Sequence, residues 1–226
     1  HNLMRGRTIG KSAQVSQDRR RLHQHFAVNL EGRHLAKLKL AGGLAFETVA
    51  TLNVGFAATL GQKEGRITHE EALSHARAVV EATGLPASAG LENGFADAPE
   101  AVAETVRGAV QAGLITCTTN DATREKDQST YPFDAEHERN SASIEAAQSL
   151  DFDFKLTERC ENFLRGKPDL DDTIRYLQTY EKAGATVLMA TGSVRAVCQA
   201  VSRPFNSMAG IPGEPFAVAE LEAAEV

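Results

Sequence analysis

From residue 26 onward the chain alternates short apolar runs with longer amphipathic ones. The strand-like runs are FAVN (26–29), FETVATL (46–52), PASAGLE (86–92), LITCTT (114–119), FDFKLTER (152–159), TVLMAT (186–191) and PFNSMAG (204–210). Between them the apolar period lengthens to that of a helix. After residue 67, Thr68 and Glu71 have the spacing of a capping box, and Ala72, Leu73, Ala76, Val79 and Val80 follow on one face. A second helix is expected to open at Asp97, with Pro99 in its first turn and Val102, Val106, Ala109 and Val110 as its buried stripe. Gly113 is placed to end it in a left-handed cap. A third opens at Asp169 and buries Ile174, Leu177 and Tyr180 before Gly184.

Strands that alternate with helices imply parallel strands joined by right-handed crossovers. The seven units fit either a (β/α) barrel or an open doubly wound sheet. No glycine-rich fingerprint follows the first strand, which weakens the nucleotide-binding, doubly wound version. Polar or charged residues gather where the strands end: Asn29, Asn53, Glu92, Asn120, Asp121, Arg159, Glu161 and Asn206. In a barrel those ends converge on one mouth, so the pattern favours the barrel.

Composition narrows the function classes. The 226 residues are 42% hydrophobic, enough for one sizeable core, and carry a net charge of −6. That charge favours neither a nucleic acid nor an anionic membrane as partner. Basic residues concentrate at the start (Arg5, Arg7, Lys11, Arg19, Arg20 and Arg21, against Asp18), which reads as a solvated tail over 1–25 ahead of a domain over 26–226. GRTIGKS (6–12) mimics a phosphate-binding loop but has three residues, not four, before its Gly-Lys pair. No apolar run approaches the ~20 residues of a membrane span, and no signal peptide is evident. Cys117, Cys160 and Cys198 share no CxxC spacing and read as reduced thiols, so a cytoplasmic protein is expected. No Cys/His cluster has zinc spacing, and His69 and His75 are expected to flank an exposed helix face and are assigned no chemistry.

Several stretches resemble the isocitrate lyase/phosphoenolpyruvate mutase superfamily, above all its short bacterial oxaloacetate decarboxylase-like or carboxyphosphonate mutase-like members. They are GFAATLGQKEG (55–65), THEEALSHARAVVEAT (68–83), LENGFADAPEAVAETV (91–106), NDAT (120–123), LTERCENFLRGKPDLDDTIRYLQTYEKAGA (156–185) and AGIPGEPF (209–216). The resemblance implies a (β/α)8-type TIM barrel whose last helix is exchanged between subunits, hence a homo-oligomer. It also implies a magnesium ion held by strand-end carboxylates, which polarises an α-keto acid.

The chain departs from that pattern at the metal site. Where close members have Asp-Leu-Glu-Asn-Gly after the third strand, this chain has Gly90-Leu91-Glu92-Asn93-Gly94. Where they have Ser-Ile-Glu-Asp after the fourth, it has Thr118-Thr119-Asn120-Asp121. The first-strand Asn-Pro-Trp-Asp is Asn29-Leu30-Glu31-Gly32, and the second-strand Ser is Asn53. Arg159 matches the arginine that holds a substrate carboxylate or phosphonate, while its neighbour has become Glu158. The stretch TVLMATGSVRAVCQAV (186–201) is short for a pocket wall. Seven βα units are visible, with the eighth either absent or outside the sequence.

The expected site is therefore Glu92, Asp121, Arg159 and Glu161 as catalytic residues, with Arg159, Asn53, Asn93, Asn120 and Asn206 binding substrate and no protein ligand set for a metal. Glu92 and Arg159 are also expected to form an ion pair. Function divides three ways. The first is a diverged enzyme that isomerises, cyclises, decarboxylates or cleaves a small organic acid or carbonyl compound without tightly bound metal. The second is a non-catalytic ligand- or partner-binding relative. The third is a conventional magnesium-dependent C–C lyase.

Overall fold

The computed structural model describes residues 28–29, 48–125 and 129–207. Seven strands coincide with the seven predicted runs: β1 Val28–Asn29, β2 Val49–Thr51, β3 Ala87–Gly90, β4 Thr116–Asn120, β5 Lys155–Cys160, β6 Val187–Ala190 and β7 Phe205–Ser207. (β4 and β5 each run one residue past the predicted end.) They form one parallel sheet in the order β1-β2-β3-β4-β5-β6-β7. A doubly wound sheet reverses its order at a switch point; this one does not, so each crossover adds the next strand on the same side. No helix of the described residues is long and apolar enough to cross a membrane. The basic stretch before residue 26 lies outside the described residues.

Six helices are described: α1 Asn53–Thr59, α2 His69–Thr83, α3 Pro99–Gln111, α4 Phe133–Gln148, α5 Leu170–Ala183 and α6 Val194–Ala200. α2 starts in the capping box predicted for Thr68 and Glu71, both hydrogen bonds being present. α5 starts at Asp169, whose carboxylate accepts from Asp172 N at 3.0 Å, and ends at the left-handed Gly184. α3 differs from expectation. Its cap is Ala98, without a side-chain bond, because the Asp97 carboxylate is turned to accept from Tyr131 Oη. His69 and His75, at the flanks of the exposed face of α2, are half-buried. His75 stacks on Phe56 at 4.0 Å and His69 lies 5.7 Å from Phe95, and burial lowers both imidazole pKa values.

The strand alternation sorts side chains to two faces. Val49, Ala87, Ala89, Cys117, Leu156, Leu188, Ala190 and Phe205 point to the helices and join Val79, Val106, Ile144, Leu177 and Tyr180 in one core. The register puts Ser88, Gly90, Thr118, Asn120, Thr157, Arg159, Met189 and Asn206 on the opposite face. That face is mostly polar toward the C-terminal ends of the strands, where the candidate site lies.

Candidate functional site

β3 ends in a tight turn, with Gly94 N donating to Leu91 O at 2.8 Å. The turn throws Glu92 into the left-handed region at φ 47, and Phe95 at φ 58. Gly94 is required here on two counts: its φ is +71, and a Cβ would sit 2.8 Å from a methyl of Val102. A non-glycine residue held left-handed stores on the order of 1–3 kcal/mol of strain, a cost that recurs at functional sites.

The turn is clamped from behind by α4. Arg139, 3% exposed, donates to the carbonyls of Asn93, Ala96 and Asp97 and pairs with Glu136 at 3.1 Å. Its guanidinium lies 3.9 Å over the Tyr131 ring. Tyr131 Oη donates to Asp97 and accepts from Asn93 Nδ2 at 2.8 Å.

Held this way, Glu92 joins a row across the strand ends. Its Oε1 accepts from Asn53 Nδ2 at 3.3 Å, and its carbonyl accepts from Asn120 N at 2.9 Å. Asn120 pairs in register with Arg159, Arg159 with Met189, and Met189 with Asn206. Burial raises the Glu92 carboxyl pKa, against the opposing pull of Arg124 and Asn53. Asn120 Oδ1 accepts from Ala122 N at 3.1 Å in an Asx turn, which leaves its amide NH2 for the open face.

The other expected residues stand behind this row. Asp121 is fully buried; its Oδ1 accepts from Glu161 N at 2.8 Å, and burial pushes its pKa up to about 6. Glu161, 1% exposed, contacts the Arg159 guanidinium through Oε1 and accepts from Arg165 Nε at 3.0 Å through Oε2. Asn93 is turned to Tyr131. The structure thus brings Asn53, Glu92, Asn120 and Arg159 together, sets Asn206 further along the same row, and places Asp121, Glu161 and Asn93 as supports. Cys117 and Cys160 are buried in the core, where desolvation raises both thiols far above neutrality.

One expectation is corrected. Glu92 and Arg159 do not pair with each other. Glu92 Oε2 accepts from Arg124 Nη2 at 3.2 Å, while Arg159 meets Glu161, two residues along its own strand end. Arg124, Tyr131 and Arg139 were not singled out in the sequence. Arg165 had a signal, since it lies four residues after Glu161, but only a helical turn there makes that spacing a contact.

A divalent magnesium ion takes oxygen ligands in near-octahedral geometry, mostly from carboxylates and water. The residues present do not fit it. Gly90 brings no side chain, Asn120 no charge, and Asp121 is buried against a backbone N–H. Among the described residues no three Asp, Glu, His or Cys side chains converge as a metal would need.

The model of the phosphoenolpyruvate phosphomutase family matches residues 23–226. The chain belongs to this family. It lies within the phosphoenolpyruvate mutase/isocitrate lyase superfamily of lyases and mutases. A solved structure named provisionally as a lyase/mutase, from Burkholderia cenocepacia J2315, is 41% identical with TM-score 0.87, over 95% of this chain and 80% of its own. 2,3-Dimethylmalate lyase is 20% identical with TM-score 0.78, over 94% and 77% of the two chains. A phosphonopyruvate hydrolase, solved with oxalate and magnesium, is 20% identical with TM-score 0.74, over 95% and 75%. At these last identities the likeness is one of fold. No functionally curated protein matches the chain.

Proposed function

We propose that this family member is a diverged enzyme of the cytoplasm that acts on a small organic acid or carbonyl compound without a tightly bound metal. The observation that carries it is the row Asn53–Glu92–Asn120–Arg159, in which a half-buried carboxyl and a guanidinium flank a free amide at the strand ends. Arg159 offers a planar fork to a substrate carboxylate, and Glu161, itself held by Arg165 and the Asp121-bound backbone, fixes that fork. The Asn120 amide is placed to donate to the adjacent carbonyl oxygen. Glu92, with its pKa raised toward neutrality, moves the proton at the carbon beside that carbonyl as bonds to it break or form. Closure of the sheet into a (β/α)8-type barrel belongs to the same proposal. So does a homo-oligomer that shields the edge strands, against which a single-chain mass in light scattering would count.

The test is product formation from a panel of α-keto and 2-hydroxy acids, followed by NMR in a chelator. Glu92→Gln should lower kcat about 100-fold or more, the scale of a lost general acid/base. Arg159→Ala should chiefly raise KM. Turnover that appears only on adding magnesium would restore the metal-dependent lyase. A second reading, a non-catalytic ligand-binding relative, has one observation in its favour: both charges of the row already have protein partners. Binding of an acid with no product from any of them would favour it.

A further inference from the structure

The carboxylate of Glu92 is paired with a guanidinium, that of Arg124. Arg124 sits on the loop between β4 and α4, and both ends of that loop are tied to the end of β4. Ala122 bridges Thr130 in antiparallel fashion, Thr123 N donates to Ser129 O at 3.1 Å, and Tyr131 N donates to Asp121 O at 2.9 Å. From this base Arg124 reaches the β3–α3 turn at two points. Its Nη2 donates to Glu92, and its guanidinium carbon lies 5.3 Å over the Phe95 ring. Phe95 is, with Glu92, one of two left-handed non-glycine residues among the described residues, so the turn that aims Glu92 also builds the platform for Arg124.

The pair is asymmetric. The Arg124 side chain is 43% exposed and that of Glu92 18%, so Glu92 is the rooted partner and Arg124 the accessible one. Only Nη2 is committed to Glu92; among the described residues no acceptor holds Nη1 or Nε. A surface ion pair alone is worth little and would not call for an aromatic platform. A guanidinium with an unspent edge, held on the residue whose carbonyl accepts from Asn120 N, is a ready site for an anionic oxygen.

We propose that Arg124 is a second ligand-binding guanidinium of this site, which takes the carbonyl or enolate oxygen of the substrate while Arg159 takes its carboxylate. This rests on the acid-binding reading above and narrows it. The ligand is then held at two adjacent oxygens, one by each guanidinium. Arg124 then supplies positive charge at strand ends where Gly90 brings no side chain and Asn120 no charge. Glu92 aims it and competes with the ligand for it.

Oxalate is the probe, because it is a planar dianion with the oxygen spacing of such an enolate. Calorimetric titration in a chelator, with a thermal melt of each variant to establish folding, gives the test. Wild type should bind oxalate, with no change on adding magnesium. Arg124→Ala should weaken binding at least about tenfold, the scale of one charge-assisted hydrogen bond, and Arg124→Lys should lose less. Glu92→Gln should tighten binding, because it frees the guanidinium and removes a like charge. Affinity within about twofold of wild type in Arg124→Ala would overturn the proposal. So would a strict need for magnesium, or no oxalate binding by wild type at millimolar concentration. If Arg159→Ala binds as wild type while Arg124→Ala does not, the Arg159 anchor fails and Arg124 stands; the reverse result removes Arg124 alone.

Discussion

Glu158 puts a carboxyl group in the layer between sheet and helices. It is 1% exposed, with Oε1 accepting from Ser143 Oγ at 2.7 Å and Oε2 from Thr119 Oγ1 at 2.8 Å. Burial pushes its pKa from 4.5 up to about 7, and the two hydroxyls only partly offset this. A raised folded-state pKa contributes stability that is full below the unfolded value and is lost as pH rises through the folded one. Above pH 7 the ionised form should therefore cost on the order of 3 kcal/mol. Glu158→Gln keeps the shape, and hydroxyls can accept from its amide as well as donate to its carbonyl. The variant should melt higher than wild type at pH 8 and nearly the same at pH 4.5; equal shifts at both would show that Glu158 carries no such cost. The side it faces was readable: strand alternation sends residues 158 and 159 to opposite faces, so placing Arg159 on the open face consigns Glu158 to the core. The partner of Glu92 was not readable, because Arg124 lies in a loop where no period assigns a direction.

At the scale of elements, α4 separates what periodicity reveals from what it hides. α2, α3 and α5 carry apolar stripes and stood out in the sequence. α4 buries Glu136, Arg139, Asn140 and Ser143 along with Ile144, Ala146 and Ala147, so its inward face is half polar and no stripe marks it. Yet this face holds the site, since Arg139 takes three carbonyls of the turn that carries Glu92. Arg139→Met would orphan those carbonyls and leave the buried Glu136 unpaired. Losing one partner of a buried pair costs about 3–5 kcal/mol, and the freed turn should relax Glu92 from its left-handed conformation. Urea denaturation should show a loss of that size, and wild-type oxalate affinity should fall with it. A loss under about 1 kcal/mol would mean the clamp is incidental.

For the whole molecule, strand order and the polar strand ends followed from a period and a handedness rule, which act alike on every unit. The buried polar layer beneath the strand ends followed from neither, because charges there are chosen pair by pair. That layer sets how the fold responds to pH. Asp121 rises from 3.8 to about 6 and Glu158 from 4.5 to about 7, while burial also raises Glu92 and, more strongly, Glu136. Each binds a proton more tightly folded than unfolded, so each adds stability at low pH that is lost as pH climbs through its folded value. His69 and His75 act oppositely: burial lowers their pKa below 6.5, so their contribution is present above that value and fades as pH falls. The carboxyls should win, because Asp121 and Glu158 are almost wholly buried and the two imidazoles are only partly so. Between pH 5 and 8 the net loss should be on the order of 3 kcal/mol, or a fall in Tm of roughly 5–10 °C for a chain of this size. Calorimetric melts across that range decide the matter: a Tm that climbs steadily from pH 5 to 8 would mean that these carboxyls are ionised and well solvated in the folded state, and that the polar layer beneath the strand ends is open to water.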